Sequence, residues 1–193
     1  MSFTVVWVVA ALVIVAGIVV WRRPVRGRAT PDALAPGKAF TAFSAVDEHG
    51  NEVTEASLKG KPTILLFVRG NWCPFCNAQV ADITSHYKEI VDLGGRLVIL
   101  TPKPLETTRR VAEMYGVDFE FWLDEGLTVT RQFGLLIDGG VPNKSRESFG
   151  DDAVWPAAVI IDADGIIRFT ELSRAIVDRP SSAKLLSQLK RLL

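Results

Sequence analysis

Arg69-Gly70-Asn71-Trp72-Cys73-Pro74-Phe75-Cys76, directly after the apolar, β-branched run from Thr63 to Val68, decides how the chain is read. It holds the only two cysteines among 193 residues, at C-x-x-C spacing. The run reads as a buried strand and the residues after Cys73 as a helix reaching to Leu93. A thiol at that junction meets unpaired backbone N–H groups and the positive end of the helix dipole, and both favour a thiolate. Cys73 is therefore the expected nucleophile. Cys76 lies one turn further on, placed to attack a sulfur bonded to Cys73 and close a redox disulfide, Cys73–Cys76. Pro74 falls in the first turn, where a missing N–H costs nothing. Two other readings are half a zinc site and a pair of unrelated thiols. Zinc normally takes four ligands, and only His49 and His86 are at hand to complete a set, at no recognisable spacing. Redox chemistry is the preferred reading, with no metal and no cofactor expected.

Outward from this stretch, strand and helix patterns alternate. On the N-terminal side, Ala39 to Val46 followed by the turn Asp47-Glu48-His49-Gly50-Asn51 reads as a β-hairpin, with His49 as a turn residue. On the C-terminal side, Val80, Ile83, Tyr87, Ile90 and Val91 stand near helical spacing and Gly94-Gly95 ends the helix. Arg96 to Thr101 is a second buried strand, and Leu105 to Tyr115 a second helix. Phe121 and Trp122 read as core. The polar stretch 137–152 is either a lid or a variable surface loop, and the latter is preferred. Ala163-Asp164-Gly165 is a tight turn into a returning strand, Ile166 to Glu171, and Ser181 to Leu193 is a helix burying Leu185, Leu186, Leu189 and Leu192. The pattern predicts an α/β fold with parallel central strands.

Trp72-Cys73-Pro74-Phe75-Cys76 after an apolar strand resembles the active site of the thioredoxin superfamily. Phe67-Val68-Arg69-Gly70 more narrowly resembles the peroxiredoxin-like redoxins, relatives of the alkyl hydroperoxide reductase and thiol-specific antioxidant family. Phe119 to Asp124 with the segment to Phe133-Gly134, and Asp178-Arg179-Pro180 before the last helix, agree with that likeness, which spans roughly residues 38 to 190. The resemblance implies a thioredoxin-like fold, a central mixed sheet flanked by helices. It also implies that Pro156, opening the strand Trp155-Pro156-Ala157-Ala158-Val159-Ile160-Ile161, is a cis-proline beside the cysteines. Trp155 and Pro156, with Trp72, are then the expected substrate-binding residues, the Trp155 backbone meeting an extended substrate chain. Arg69 either activates the thiolate or is a solvated charge at a strand end. Peroxiredoxins typically carry a proline seven residues before the attacking cysteine and a threonine or serine three before it. Here Leu66 and Gly70 stand in those places.

Three functional readings follow. The preferred one is thiol–disulfide exchange through the Cys73/Cys76 couple, with a protein or small-molecule client and an external thiol reductant as partners. The second is a thiol peroxidase, in which Cys73 becomes a sulfenic acid that condenses with Cys76. The third is a non-enzymatic Cu(I) chaperone using the two thiolates as soft ligands. Basic and acidic residues balance at 22 each, and residues 29–193 are net acidic by about four charges, which gives a nucleic-acid partner no support.

Phe3 to Trp21 is uncharged throughout, about the length that crosses a hydrocarbon core. It is read as an uncleaved single-pass anchor rather than a signal peptide or a buried helix. Arg22, Arg23, Arg26 and Arg28 follow it, so charge asymmetry places the remainder in the cytoplasm, the alternative being the periplasm or cell exterior. The expected organisation is an anchor over 1–22, a linker over 23–37 and one redoxin domain over 38–193.

Overall fold

The computed structural model describes residues 28–102, 120–175 and 177–192, together with Trp7 and Val13. Strands β1 (Ser44–Asp47) and β2 (Glu52–Thr54) form the expected hairpin, closed by the Asp47 carboxylate, whose Oδ1 accepts from the N–H groups of His49 and Asn51 at 2.8 Å. Strand β3 (Thr63–Phe67) follows and is buried along its whole length. Helices α1 (Pro74–Thr84) and α2 (Tyr87–Asp92) lead to strands β4 (Arg96–Thr101) and β5 (Glu120–Leu123). After helix α3 (Thr128–Gln132) come strand β6 (Leu136–Ile137), helix α4 (Asn143–Phe149) and strand β7 (Ala153–Val154). Strands β8 (Ala157–Ile161) and β9 (Ile167–Leu172) and helix α5 (Ser182–Lys190) complete the chain.

Among the described residues, seven strands form one sheet in the order β2-β1-β5-β4-β3-β8-β9, and β6 and β7 pair separately. β3, β4 and β5 run parallel, whereas β8 is antiparallel to β3, with Leu65 opposite both Val98 and Val159. This is the thioredoxin-like mixed sheet. Because side chains alternate across a strand, β3 feeds two cores. Ile64, Leu66 and Val68 pack with Cys76, Val80 and Ile83 of α1, Ile90 of α2, and Leu185, Leu186 and Leu189 of α5. Leu65 and Phe67 face the other way, into a cluster with Phe40, Phe43, Trp122 and Phe133, whose rings approach to 4.7 Å between Phe40 and Phe133. Each fully buried Leu or Ile contributes on the order of 1.5–3 kcal/mol relative to its exposed state, so both faces hold β3 in register.

The structure departs from the sequence reading in four places. The long helix expected after the cysteines is two, because Thr84 Oγ1 donates to the Val80 carbonyl (2.6 Å) and Ser85 Oγ to the Asp82 carbonyl (2.7 Å), local bonds that compete with continuing the helix. Val91 then faces solvent instead of the core. The stretch 137–152 contains β6's end and α4 rather than an irregular loop. The linker drawn over 23–37 is in part packed structure: Leu34 is buried in the aromatic core, and Gly37 and Lys38 exchange backbone bonds with Ile167 at 2.7 and 2.8 Å.

The helix expected over Leu105 to Tyr115 lies outside the described residues, as does the run Phe3 to Trp21 apart from Trp7 and Val13. Among the described residues, no helix is long and apolar enough to cross a membrane.

Candidate active site

At the end of β3 the Val68 N–H still donates to Leu100 (3.0 Å), after which the chain leaves the sheet through Arg69 to Trp72. Gly70 makes this turn with φ +102°, a conformation that favours glycine. A Cβ on Gly70 would also lie 2.7 Å from Cε1 of Phe149, so the position has no room for a threonine or serine. Cys73 donates its N–H to the Gly70 carbonyl (3.2 Å) and becomes the N-cap of α1, with Pro74 at the first helical position. Its thiol does not cap the helix, which leaves the sulfur available for chemistry. Cys76 follows one turn on. Both are free thiols, 1% and 2% exposed respectively.

Two donors converge on the pair. The Arg69 N–H lies 3.5 Å from Cys76 Sγ. Arg179, from the segment before α5, places Nη2 3.3 Å from Cys76 Sγ and 3.8 Å from Cys73 Sγ. Hydrogen bonding from the Cys76 thiol, opposed by burial and aided by the Cys76 N–H and the charges of Arg179 and Arg69, lowers the Cys73 pKa to about 5. The same bond, with burial, pushes Cys76 up, so it remains the protonated partner. The pair is thus polarised, with the charged form favoured on Cys73 and the protonated form on Cys76.

Arg69 is no solvated charge: it is 4% exposed, donates through Nε to the Val154 carbonyl (3.1 Å), and stacks its guanidinium 5.8 Å from the Trp72 ring centre. Burial pulls its own pKa down, while the two cysteines act in the opposite direction. Trp72 is gripped from the other side by Phe149, edge-on at 6.3 Å, so the stretch 137–152 reaches the active-site turn.

The Trp155–Pro156 bond is trans, which corrects the cis-proline expectation. Just before it, the Trp155 N–H donates to Leu135 (2.6 Å) and Val154 pairs with Leu136. The residues before Pro156 are therefore held by a neighbouring segment of the same chain, and the Trp155 N–H already has a partner there. The Trp155 indole Nε1 donates to the Ser173 carbonyl at 2.8 Å.

Sequence reasoning missed Arg179. The signal was present, since Asp178-Arg179-Pro180 carried part of the family likeness, but nothing in the linear order brings it to the cysteines. Among the described residues, no group of three or more His, Cys, Asp or Glu is arranged to hold a metal ion.

Fold and paired thiols define a thioredoxin-like oxidoreductase. The AhpC/TSA family profile matches residues 36–170, well over half of the chain, and the chain belongs to that family. Peroxiredoxin Q from Sedum lineare, named as chloroplastic, is 23% identical over 147 residues, covering 75% of this chain and 73% of its own. Peroxiredoxin Bcp of Escherichia coli strain K12 is 27% identical over 135 residues, covering 69% and 83%. The crystal structure of peroxidoxin BcpB from Mycobacterium tuberculosis superposes with a TM-score of 0.67 at 20% identity, covering 83% of this chain and 99% of the other, and supports the fold.

The membrane localisation expected of the sequence, cytoplasmic side or periplasmic, is corrected. The length of an uncharged run and the arginines after it carried it. No helix among the described residues is long and apolar enough to cross a membrane, and the Sedum relative bears a chloroplastic name.

Proposed function

We propose that the protein is a thiol peroxidase in which Cys73 attacks a hydroperoxide and Cys76 resolves the product. The observation that carries this reading is the polarised pair, a Cys73 thiolate beside the Arg179 guanidinium with protonated Cys76 next to it. The names of the Sedum and Escherichia coli relatives support it over the exchange reading preferred on sequence alone. The Cys73 thiolate attacks the terminal peroxide oxygen, the O–O bond breaks, and the departing alkoxide takes up a proton, leaving a sulfenic acid and an alcohol. Cys76 then attacks the sulfenic sulfur, and water leaves as the Cys73–Cys76 disulfide forms. An external dithiol returns the pair to the reduced state through a mixed disulfide.

Thiol–disulfide exchange remains the second reading because Leu66 and Gly70 stand where peroxiredoxins typically carry their proline and their threonine or serine. Leu66 is buried in the core on the helix side of the sheet, and Gly70 is committed to its turn. The deciding experiment follows thiol loss of the reduced full chain by mass spectrometry against cumene hydroperoxide, hydrogen peroxide and a small disulfide. Peroxide oxidation at least about 100-fold faster than that of free cysteine, with disulfide exchange slower, is the expected result. The reverse ranking overturns the peroxidase reading in favour of exchange.

A further inference from the structure

Arg179 reaches the sulfurs from a segment more than 100 residues away in sequence, and something must hold it there. Ser173 is the residue that touches it. Ser173 is 2% exposed, accepts from Arg179 Nη1 at 3.1 Å and donates its own hydroxyl to the Asp178 carbonyl at 2.8 Å. Nη1 donates to that same carbonyl at 2.5 Å, so hydroxyl, carbonyl and guanidinium close a small ring. Ser173 is itself fixed at both backbone ends: its N–H donates to the Pro156 carbonyl (3.0 Å) and its carbonyl accepts from Trp155 Nε1 (2.8 Å). Trp155 is held in turn by its N–H bond to Leu135 and by the Arg28 guanidinium, 5.4 Å from the ring centre. The Asp178 carboxylate closes the loop by accepting from the N–H groups of Arg174 (2.9 Å) and Ala175 (2.7 Å).

We infer that Ser173, seated by Trp155, is the positioning residue that aims Arg179 at the Cys73/Cys76 sulfurs and so sets the reactivity of Cys73. The inference rests on the dithiol being the reactive centre, whichever oxidant it meets. A guanidinium on a flexible stem loses its effect on a thiolate when it swings away, because the interaction falls with distance and solvent screens it. A hydroxyl on one Nη leaves the other aimed at sulfur. Among the described residues, the charged groups acting on Cys73 are Arg179 and Arg69 at the end of β3, with Asp178 behind Arg179, its carboxylate accepting from loop amides. Of these, Ser173 touches only Arg179 and the Asp178 carbonyl. Removing its hydroxyl therefore acts on Cys73 through Arg179.

The test is the pH profile of iodoacetamide alkylation of Cys73 in the reduced full chain, read on the Cys73-containing peptide by mass spectrometry. Ser173→Ala is expected to raise the midpoint by about one pH unit, which slows labelling at pH 5 by roughly fivefold and leaves the rate at pH 9 unchanged. Trp155→Phe keeps the ring but removes the Nε1 donor, and is expected to move the midpoint the same way by a smaller amount; it carries the test alone if Ser173→Ala does not fold. Each change is repeated with Arg179→Gln, where it should add nothing, since partners in one network are not additive. An unchanged midpoint in the folded variants, or a shift that persists with Arg179→Gln, overturns the inference. Because alkylation consumes neither peroxide nor disulfide, failure of the peroxidase reading leaves this result standing, and the reverse.

Discussion

Residues 69–76 and residues 173–180 serve the same two sulfur atoms by opposite routes. The first stretch is contiguous: one turn of chain supplies the nucleophile, the second thiol, a helix N-terminus and the Arg69 N–H. The second is brought in by the sheet, since β8 and β9 return the chain to the edge of β3 and release it at Ser173, from where Arg179 reaches both sulfurs. The difference matters for magnitude. A helix terminus contributes about 0.3–1 kcal/mol to a charge at its end, less than one pKa unit. That is far short of holding Cys73 near 5. Most of the lowering comes from the Cys76 thiol and N–H in the same stretch, and the charges of the distant Arg179 and of Arg69 add to it.

The largest effect tests the contiguous stretch. Cys73→Ser should abolish peroxide-driven disulfide formation, a loss of at least about 1,000-fold, because no other thiolate replaces the nucleophile. Cys76→Ser should leave the first oxidation intact and accumulate a Cys73 sulfenic acid or a mixed disulfide, seen as a dimedone adduct or an intermolecular adduct by mass spectrometry. If Cys73→Ser retained turnover, the roles of the two cysteines would be reversed, with Cys76 as the nucleophile supplied by the same stretch.

That stretch was also the legible half. An apolar β-branched run, a C-x-x-C and a proline at the first helical position are local signals, and they specify β3 and the start of α1 without knowledge of the rest. β4, β8, the hairpin at Asp47 and the leucines of α5 were readable for the same reason. What escaped depended on tertiary partners or on local side-chain bonds too weak to mark a break in the sequence. The break at Ser85 rests on side-chain bonds to carbonyls of its own helix, and α4 buries no residue of its own, so it shows no apolar periodicity. The trans bond at Pro156 accompanies a β6–β7 pairing of only two residues each, too short to declare itself. Arg179 was noticed as part of a likeness and given no task, because its task exists only once β9 has delivered it.

A change at Gly70 tests whether the contiguous stretch is as self-sufficient as its sequence suggests. Gly70→Ala places a Cβ 2.7 Å from the Phe149 ring and forces alanine to φ +102°. The backbone conformation alone costs about 1–3 kcal/mol, and the ring contact adds to it. Urea unfolding should show that loss, and pairing the change with Phe149→Ala should recover the part due to the clash while leaving the backbone part. Full recovery would mean that the turn tolerates a side chain and that α4 alone dictates glycine. No loss in Gly70→Ala would mean that Phe149 moves aside at little cost.

The smallest effect concerns the joint between the two stretches. Asp82, on the outer turns of α1, accepts the Ser182 N–H through Oδ2 at 3.0 Å, and Ser181 accepts the Lys184 N–H at 3.3 Å, so the first turn of α5 is capped partly by its own residue and partly by the helix that carries the cysteines. Removing one capping acceptor costs about 0.5–2 kcal/mol. For a chain of this size, 1 kcal/mol corresponds to roughly 2–4 °C in melting temperature. Asp82→Ala should therefore lower the midpoint by a few degrees. Arg179 lies before the cap and is held by Ser173 and Asp178 rather than by α5, so the alkylation profile of Cys73 should stay where it is in the unmodified chain. A shifted profile with Asp82→Ala would show that the seating of α5 also aims Arg179, and that the second stretch extends through Pro180 into the helix.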